Sequence, residues 1–215
     1  MLDLIKKELK LSLHPTAPIF LLLSAMLLIP NYPYYVVFFY TTLGIFFICQ
    51  NGREVNDINF MLLLPISRND IVKARMTLAA LLECAQILIA VPFAMLRNKI
   101  LSAPNAAGMD ANMALFGLAL IMLGIFNIVF FPKYYKNPAK VGMPFILGST
   151  AVFVFILLAE ASCFIIPFVK DILDTPGMAN PLPKLAALLS GALIYLLLTI
   201  TAYKISVKNF KKIDL

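Results

Sequence analysis

The chain has 215 residues, of which 61% are apolar and 13% charged, and its formal net charge is +7. A soluble domain of this size covers itself with polar side chains, so this composition excludes one and indicates an integral membrane protein. The basic residues flank apolar runs and form no contiguous patch, so we expect no nucleic-acid partner. Cys49, Cys84 and Cys163 lie far apart beside apolar residues, which favours packing roles over a disulfide or metal framework.

Residues 1 to 14 predict a short helix that lies in the membrane interface. Leu2, Ile5 and Leu9 form an apolar stripe, while the three lysines of this stretch lie elsewhere on the helical wheel, towards anionic lipid. We expect the helix to end at His14, because a proline follows.

Six apolar stretches predict membrane spans, and residues 1–215 are expected to form a single membrane domain, because no stretch is left for a soluble one. The predicted spans are about residues 16–30, 33–49, 76–96, 113–131, 142–166 and 185–203. In this arrangement fourteen of the eighteen lysines and arginines flank the spans on one side. Such an asymmetry predicts that both termini lie in the cytoplasm.

The polar stretch 50–76 separates the second and third predicted spans and contains seven of the twenty-nine charged residues. Its pattern predicts a short amphipathic helix over 54–64, a Leu-Pro turn, and a second helix that starts at Ser67 with Asp70 in its first turn. Three apolar residues recur at helical spacing: Phe60, Leu63 and Leu64. A plain hydrophilic loop that marks the cytoplasmic side is the alternative.

Two acidic residues fall inside predicted spans, where a carboxylate is costly. Glu83 shares a polar and small face of the third span with Gln86, so these two residues are candidates for a substrate pathway. The favoured alternative to substrate contact is a structural role, in which Glu83 forms a hydrogen bond with a neighbouring helix. Glu160 is expected near the outer interface, where water can reach it.

Small residues form stripes on two of the predicted spans, which favours close helix packing over substrate contact. The stripes consist of Ala114, Gly117, Ile121 and Gly124 on the fourth span and Ala187 and Gly191 on the sixth.

Several catalytic motifs are missing from the sequence. It contains no G-x-x-x-x-G-K-[ST], no H-E-x-x-H and no G-x-S-x-G, and it has one histidine. We therefore expect no ATP site, no catalytic residue and no metal site in this chain, and do not expect it to be an enzyme.

Residues 62–75 (LLLPISRNDIVKAR), preceded by Glu54, resemble the LPVSR-x-x-IV-x-x-[KR] stretch of small ABC-2-type transporter permeases. The first nine residues (MLDLIKKEL) are similar to the N-terminal interfacial helix of that family. The resemblance implies an all-α membrane protein with six transmembrane helices, an interfacial helix over 1–14 and a cytoplasmic coupling helix in the 50–76 loop.

The resemblance also implies a partner that supplies energy. Two permease copies would pair in a bacterial plasma membrane, and each would bind a cytoplasmic ABC ATPase subunit that carries ATP and Mg, leaving this chain without a cofactor. The implied ATPase-coupling residues are Glu54, Phe60, Leu63, Leu64, Pro65, Ser67, Arg68 and Arg75. Arg68 and Arg75 would add ion pairs at the rim of that contact.

The implied activity is export of an amphipathic or hydrophobic substrate, with peptides as one candidate, through spans surrounded by membrane lipid. The alternative is a membrane protein without an energy source, such as an immunity protein, a scaffold protein or a channel.

Overall fold

The computed structural model describes residues 2–12, 15–101, 103–177 and 179–213. Within these ranges the regular elements are all helical, which confirms the all-α prediction. The α-helices are α1 (Leu2–Lys7), α2 (Thr16–Leu22), α3 (Tyr35–Glu54), α4 (Asp57–Leu62), α5 (Arg68–Ile100), α6 (Met113–Tyr134), α7 (Gly142–Ile165) and α8 (Pro181–Lys211). A 3₁₀ segment (Leu23–Leu28) continues α2, and two π-helical turns (Glu8–Ser12 and Val169–Leu173) follow α1 and α7.

Five helices of the described chain, α3 and α5 to α8, are long and apolar enough to cross a membrane. The predicted first span corresponds to the shorter apolar segment Thr16–Leu28. One α-helical and one 3₁₀ stretch of this length reach only about 22 Å, against ~30 Å of hydrocarbon. Five membrane-crossing helices are therefore supported, and the count of six stays a prediction. The predicted end of the first helix at His14 lies outside the described residues.

The loop predicted over 50–76 is much shorter in the structure. α3 continues to Glu54, and α5 begins at Arg68, about eight residues before the predicted start of the third span. These extensions carry polar and charged side chains, so a boundary drawn from hydropathy places them outside the helices. Ser67 caps α5 by accepting the N–H of Asp70 at 3.1 Å, which confirms the predicted capped restart.

α6 is the most buried of the spanning helices, and α8 packs closely along it. A β-carbon on Gly117 would overlap the backbone of Ala187, and one on Gly191 would overlap the backbone of Gly117. The two helices therefore meet backbone to backbone at these glycines. This contact confirms that the small-residue stripes serve packing.

Polar contacts divide the bundle into two ends. At one end Arg68 donates to the backbone at the end of α8, and the amide of Asn209 donates to the carbonyl oxygen of Pro132 at 2.8 Å. At the other end the amide of Asn105 donates to the carbonyl oxygen of Tyr32 at 3.0 Å. We call them the basic end (residues 2–12, 52–75, 132–141 and 204–213) and the opposite end (residues 29–34, 97–101, 103–112, 166–177 and 179–184).

Candidate functional site

The candidate site is built on α4, a six-residue helix at the basic end. Asn56, in the left-handed region with φ of 52°, reverses the chain after α3 and starts α4. Two side chains of α4, Ile58 and Met61, are buried against the bundle. The opposite side is apolar yet exposed, and we call it the apolar face: Phe60 (60% exposed), Leu63 (84%) and Leu64 (41%).

Next to α4 lies a group of four charged side chains, three of them buried and Lys7 partly exposed, which we call the charge cluster: Lys7, Glu8, Asp57 and Arg75. Arg75 Nε lies 2.5 Å from Glu8 Oε2, and Arg75 Nη2 also forms an ion pair with Asp57. Lys7 Nζ lies 3.1 Å from Glu8 Oε1 and pairs with Asp57 as well. The cluster therefore joins the N-terminal segment, α4 and α5.

The charges of the cluster balance, with two cations against two carboxylates. Glu8 is fully buried, and Asp57 and Arg75 are 7% and 3% exposed. Charges this far from water are tolerated only when they are paired and hydrogen-bonded, so each member depends on the others. Gly52 of α3 makes room for the guanidinium, because a β-carbon there would lie 3.0 Å from Arg75 Nη1.

A second buried polar group lies at mid-span. Glu83 on α5 accepts hydrogen bonds from the hydroxyl of Tyr195 on α8 at 2.6 Å and from the amide of Asn127 on α6 at 3.0 Å. Gln86 donates to Ser24 Oγ at 2.8 Å. Glu83 thus joins three spanning helices, as the helix-bonding alternative requires. Its Oε1 atom has no partner among the described residues, so this carboxylate can still accept one more donor.

The opposite end has its own buried arginine. Arg97 forms an ion pair with Asp110, and it donates to the hydroxyl of Tyr34 at 3.0 Å and to the carbonyl oxygen of Ala103 at 3.2 Å. Lys184 is buried too, and it donates to the carbonyl oxygens of residues 175 and 177. Lys184 thereby attaches the segment before α8 to that helix, and Arg97 attaches the loop between α5 and α6 to the end of α5.

Two further acids bind the backbone of the same loop: Glu160 on α7 and Asp174 in the segment that follows α7. Asp174 Oδ1 accepts the N–H of Asp110 at 2.7 Å, and Glu160 accepts the N–H of Met109 at 3.0 Å. Partial burial raises the pKa of Asp174 to about 6, and the N–H of Asp110 works against that rise. Glu160 lies at the end where it was expected, where it binds the loop backbone.

The sequence matches the family described as "ABC-2 family transporter protein" over residues 3–211. The chain belongs to this family. No curated protein and no solved structure matches it. The match confirms the resemblance and supports a permease subunit of an ABC transporter, and permeases of this family generally work with an ATPase subunit.

Several residues of this ABC-2 permease that were expected at an ATPase contact are exposed. Phe60, Leu63 and Leu64 form the apolar face, and Glu54, Pro65 and Ser67 are exposed beside it. Six of the eight predicted coupling residues are therefore exposed at the basic end. The structure does not test whether an ATPase binds there.

The two arginines expected at the rim of that contact are bound within the permease. Arg75 is buried in the charge cluster, and Arg68 donates to the carbonyl oxygens of Phe210, Lys211 and Ile213 at 3.0, 3.2 and 2.7 Å. Arg68 thereby satisfies the last carbonyls of α8. These positions correct the expectation of free rim cations. An arginine near a helix start can reach inward as easily as outward.

Sequence analysis missed Glu8 and Asp57, the two acids of the charge cluster. The predicted apolar stripe did not include Glu8, which is fully buried in the structure, whereas Leu9 is 44% exposed. Lys7, expected to point to lipid, is only partly exposed and belongs to the cluster. An acidic residue within a lysine-rich interfacial segment was the available signal, but its arginine partner is 67 positions away.

Proposed function

We propose that this permease is the membrane half of an ATP-driven exporter and that its apolar face is the docking surface for a separate ATPase subunit. The observation that carries the proposal is the exposure of Phe60 on α4 and of Leu63 and Leu64 directly after it, while Asp57 of the same helix is ion-paired with Arg75 of α5. An amphipathic helix with an unburied apolar side is a typical helix-in-groove ligand. Nothing among the described residues covers this side.

The orientation in the membrane follows from the charge asymmetry. The lysines and arginines are concentrated at the basic end, so we place this end, with both termini, in the cytoplasm. An ATPase subunit in the cytoplasm would then meet α4 directly. We place the protein in the plasma membrane of a bacterium, as the family resemblance implies.

The charge cluster supplies a route for mechanical coupling. A displacement of α4 acts on Asp57, which is ion-paired with Arg75 on α5, and α5 carries Glu83 about two turns farther along the helix. Glu83 in turn bonds α6 and α8. Closure of two ATPase subunits could therefore move three spanning helices together.

The remaining parts of the proposal rest on the family and on the exposed surfaces of the bundle. Two permease copies pair, each with one ATPase subunit that holds ATP and Mg, and this chain has no catalytic role of its own. The cargo is amphipathic or hydrophobic, with peptides as the first class to test. α7 and α8 carry many exposed apolar side chains, which lipid or the second copy would cover.

Packing should contribute more to docking than ion pairs. Burial of a phenylalanine side chain is worth about 2 kcal/mol, whereas an exposed ion pair contributes about 0.5 kcal/mol. Arg68 is already engaged with α8, which lowers its expected part further. Phe60 is therefore the residue whose truncation tests the proposal.

The test is co-purification in mild detergent from the native host, with the bound ATPase identified by its P-loop peptide and by ATP hydrolysis. We expect Phe60→Ala to lower ATPase recovery about tenfold, because the remaining burial of this side chain is lost. The matched control is Phe168→Ala, which removes the same side chain at similar exposure (56%) from the opposite end. The control should bind like wild type.

Two outcomes would contradict the proposal. Undiminished recovery with Phe60→Ala means that the apolar face is not the docking surface. If wild-type protein brings down no P-loop ATPase, the chain is a membrane protein without this energy source, such as an immunity protein, a scaffold protein or a channel.

A further inference from the structure

A second surface at the basic end lies where α6 ends and α7 begins, away from the apolar face. A cavity of about 350 Å³ opens there, lined on one side by lysines and on the other by apolar residues. The lining includes Lys133, Lys136, Lys140, Met143, Pro144 and Leu147.

The three lysines of this cavity are not neutralised within the described chain. All are exposed, none is in an ion pair with a described acidic residue, and no acidic side chain lines the cavity. In the charge cluster, by contrast, both cations, Lys7 and Arg75, have carboxylate partners. Three converging positive charges without a counter-charge form a site for an anion.

The apolar side of the cavity continues along the membrane-spanning helix α7. Met143 is 63% exposed, and exposed residues follow at helical spacing down one stripe: Leu147, Thr150, Val154 and Leu157. The stripe starts beside the lysines and runs about 21 Å towards the opposite end, at ~1.5 Å per residue. A ligand that uses both sides needs an anionic head and a long apolar tail.

We propose that this cavity binds the phosphate headgroup of an anionic glycerophospholipid, with an acyl chain along the α7 stripe. Basic pockets between membrane helices are a known type of lipid headgroup site. A nucleic acid or an acidic soluble peptide would leave the apolar stripe unused, so the charge and the stripe together favour a lipid. None of the site's residues belongs to the apolar face, but Lys136 and Asn137 also line a cavity against α4, so the lipid test uses the permease without an ATPase subunit.

The test uses purified protein in phosphatidylcholine vesicles, with spin-labelled phosphatidylglycerol as the probe and spin-labelled phosphatidylcholine as the reference. We expect wild type to prefer phosphatidylglycerol. Each lysine near the membrane surface contributes about fivefold in affinity, so Lys133→Gln, Lys136→Gln and Lys140→Gln combined should reduce the preference at least about tenfold. These side chains are exposed, so the variant should fold.

The matched control carries the same charge change elsewhere on the basic end: Lys208→Gln, Lys211→Gln and Lys212→Gln, all at exposed positions. It should keep most of the preference. An equal loss in both triple variants would overturn the proposal, because it would show a general surface-charge effect.

Two further arms distinguish a lipid from a free phosphate. Soluble glycerol 3-phosphate at millimolar concentration should not displace the labelled lipid, and displacement would assign the site to a free phosphate ligand. Met143→Ala with Leu147→Ala keeps all lysines and should weaken phosphatidylglycerol association. An unchanged association would show that no acyl chain lies along α7 and would overturn the assignment to a lipid.

Discussion

α5 carries a buried arginine near each of its ends, Arg75 at the basic end and Arg97 at the opposite end. The two lie about 33 Å apart along the helix, close to the thickness of the hydrocarbon core. Arg75 is paired with acids from two other short segments, whereas Arg97 is held mainly by the 101–112 loop next to it.

The difference lies in what each arginine joins. At the basic end the bonds of Arg75 are ion pairs between separate elements, which a displacement can change together. At the opposite end many bonds run from side chains to backbone carbonyls, as from Asn98 to Ala111 at 3.0 Å and from Asn112 to Leu173 at 2.8 Å. The buried arginine at the basic end therefore joins two separate segments by ion pairs, whereas the one at the opposite end forms one ion pair.

Removing Arg75 should have the largest effect. Arg75→Leu leaves Glu8 and Asp57 buried with Lys7 as their one cation, at a cost of about 3–5 kcal/mol in the free energy of unfolding. The thermal midpoint of the purified protein in detergent measures the loss. Lys73→Leu, an exposed neighbour on α5, is the matched control and should change little. An unchanged midpoint with Arg75→Leu would show that the charge cluster does not hold α4.

Arg97→Leu should lower the free energy of unfolding by less, about 3 kcal/mol, because it leaves one carboxylate, that of Asp110, without its ion pair. Lys184 also acts electrostatically on Asp110 and compensates part of the loss. The same thermal measurement applies, with the exposed Lys99→Leu as control. A loss larger than that of Arg75→Leu would contradict the idea that the number of stranded carboxylates sets the cost.

Glu83 lies between the two ends and tests whether they act together. Glu83→Gln keeps the size and one acceptor oxygen, so we expect normal assembly and a stability loss of about 1 kcal/mol. Transport or cargo-stimulated ATP hydrolysis should change, since the bonds to α6 and α8 weaken. Tyr195→Phe removes one of those bonds and should have a smaller effect on both readouts.

The other outcomes for Glu83 are equally informative. Wild-type transport by Glu83→Gln would show that the carboxylate is structural, and failure to assemble would show that its packing role dominates.

The smallest effect concerns pH at the opposite end. The pKa of Asp174 is raised to about 6 from an ordinary value of 3.8, so the folded protein binds this proton more tightly than the unfolded chain. Its contribution to stability is therefore present below the ordinary pKa and is lost as pH rises through about 6. Asp174→Asn should reduce the gain in thermal midpoint between pH 7 and pH 5.

The exposed neighbour Asp171 supplies the control for this prediction. Asp171→Asn should keep the wild-type pH dependence. If Asp174→Asn keeps it too, the carboxylate of Asp174 does not carry the proton.

Features that depend on neighbouring residues could be predicted from the sequence. The cap at Ser67 follows from residues three positions apart, and the close packing at Gly117 and Gly191 follows from stripes at helical spacing. The exposed side of α4 follows from the spacing of Phe60, Leu63 and Leu64. In each case the pattern repeats at helical spacing within a single helix.

Contacts between distant residues could not be predicted in this way. Arg75 and Glu8 are 67 positions apart, and Glu83 and Tyr195 are 112 positions apart. A lysine or an acid in an interfacial segment has the same local pattern whether it faces lipid or another helix. Lys7 was expected to point towards lipid for this reason, although it pairs with Glu8 and Asp57.

The sequence by itself determined that this is an all-α membrane protein of the ABC-2 permease type, because apolar length, charge asymmetry and the Leu-Pro-x-Ser-Arg stretch are all local properties. Only the tertiary structure decided which charged side chains are buried and which residues they pair with. Burial of Arg75 is tolerable only where Glu8 and Asp57 meet it, and that meeting depends on how α1, α4 and α5 pack.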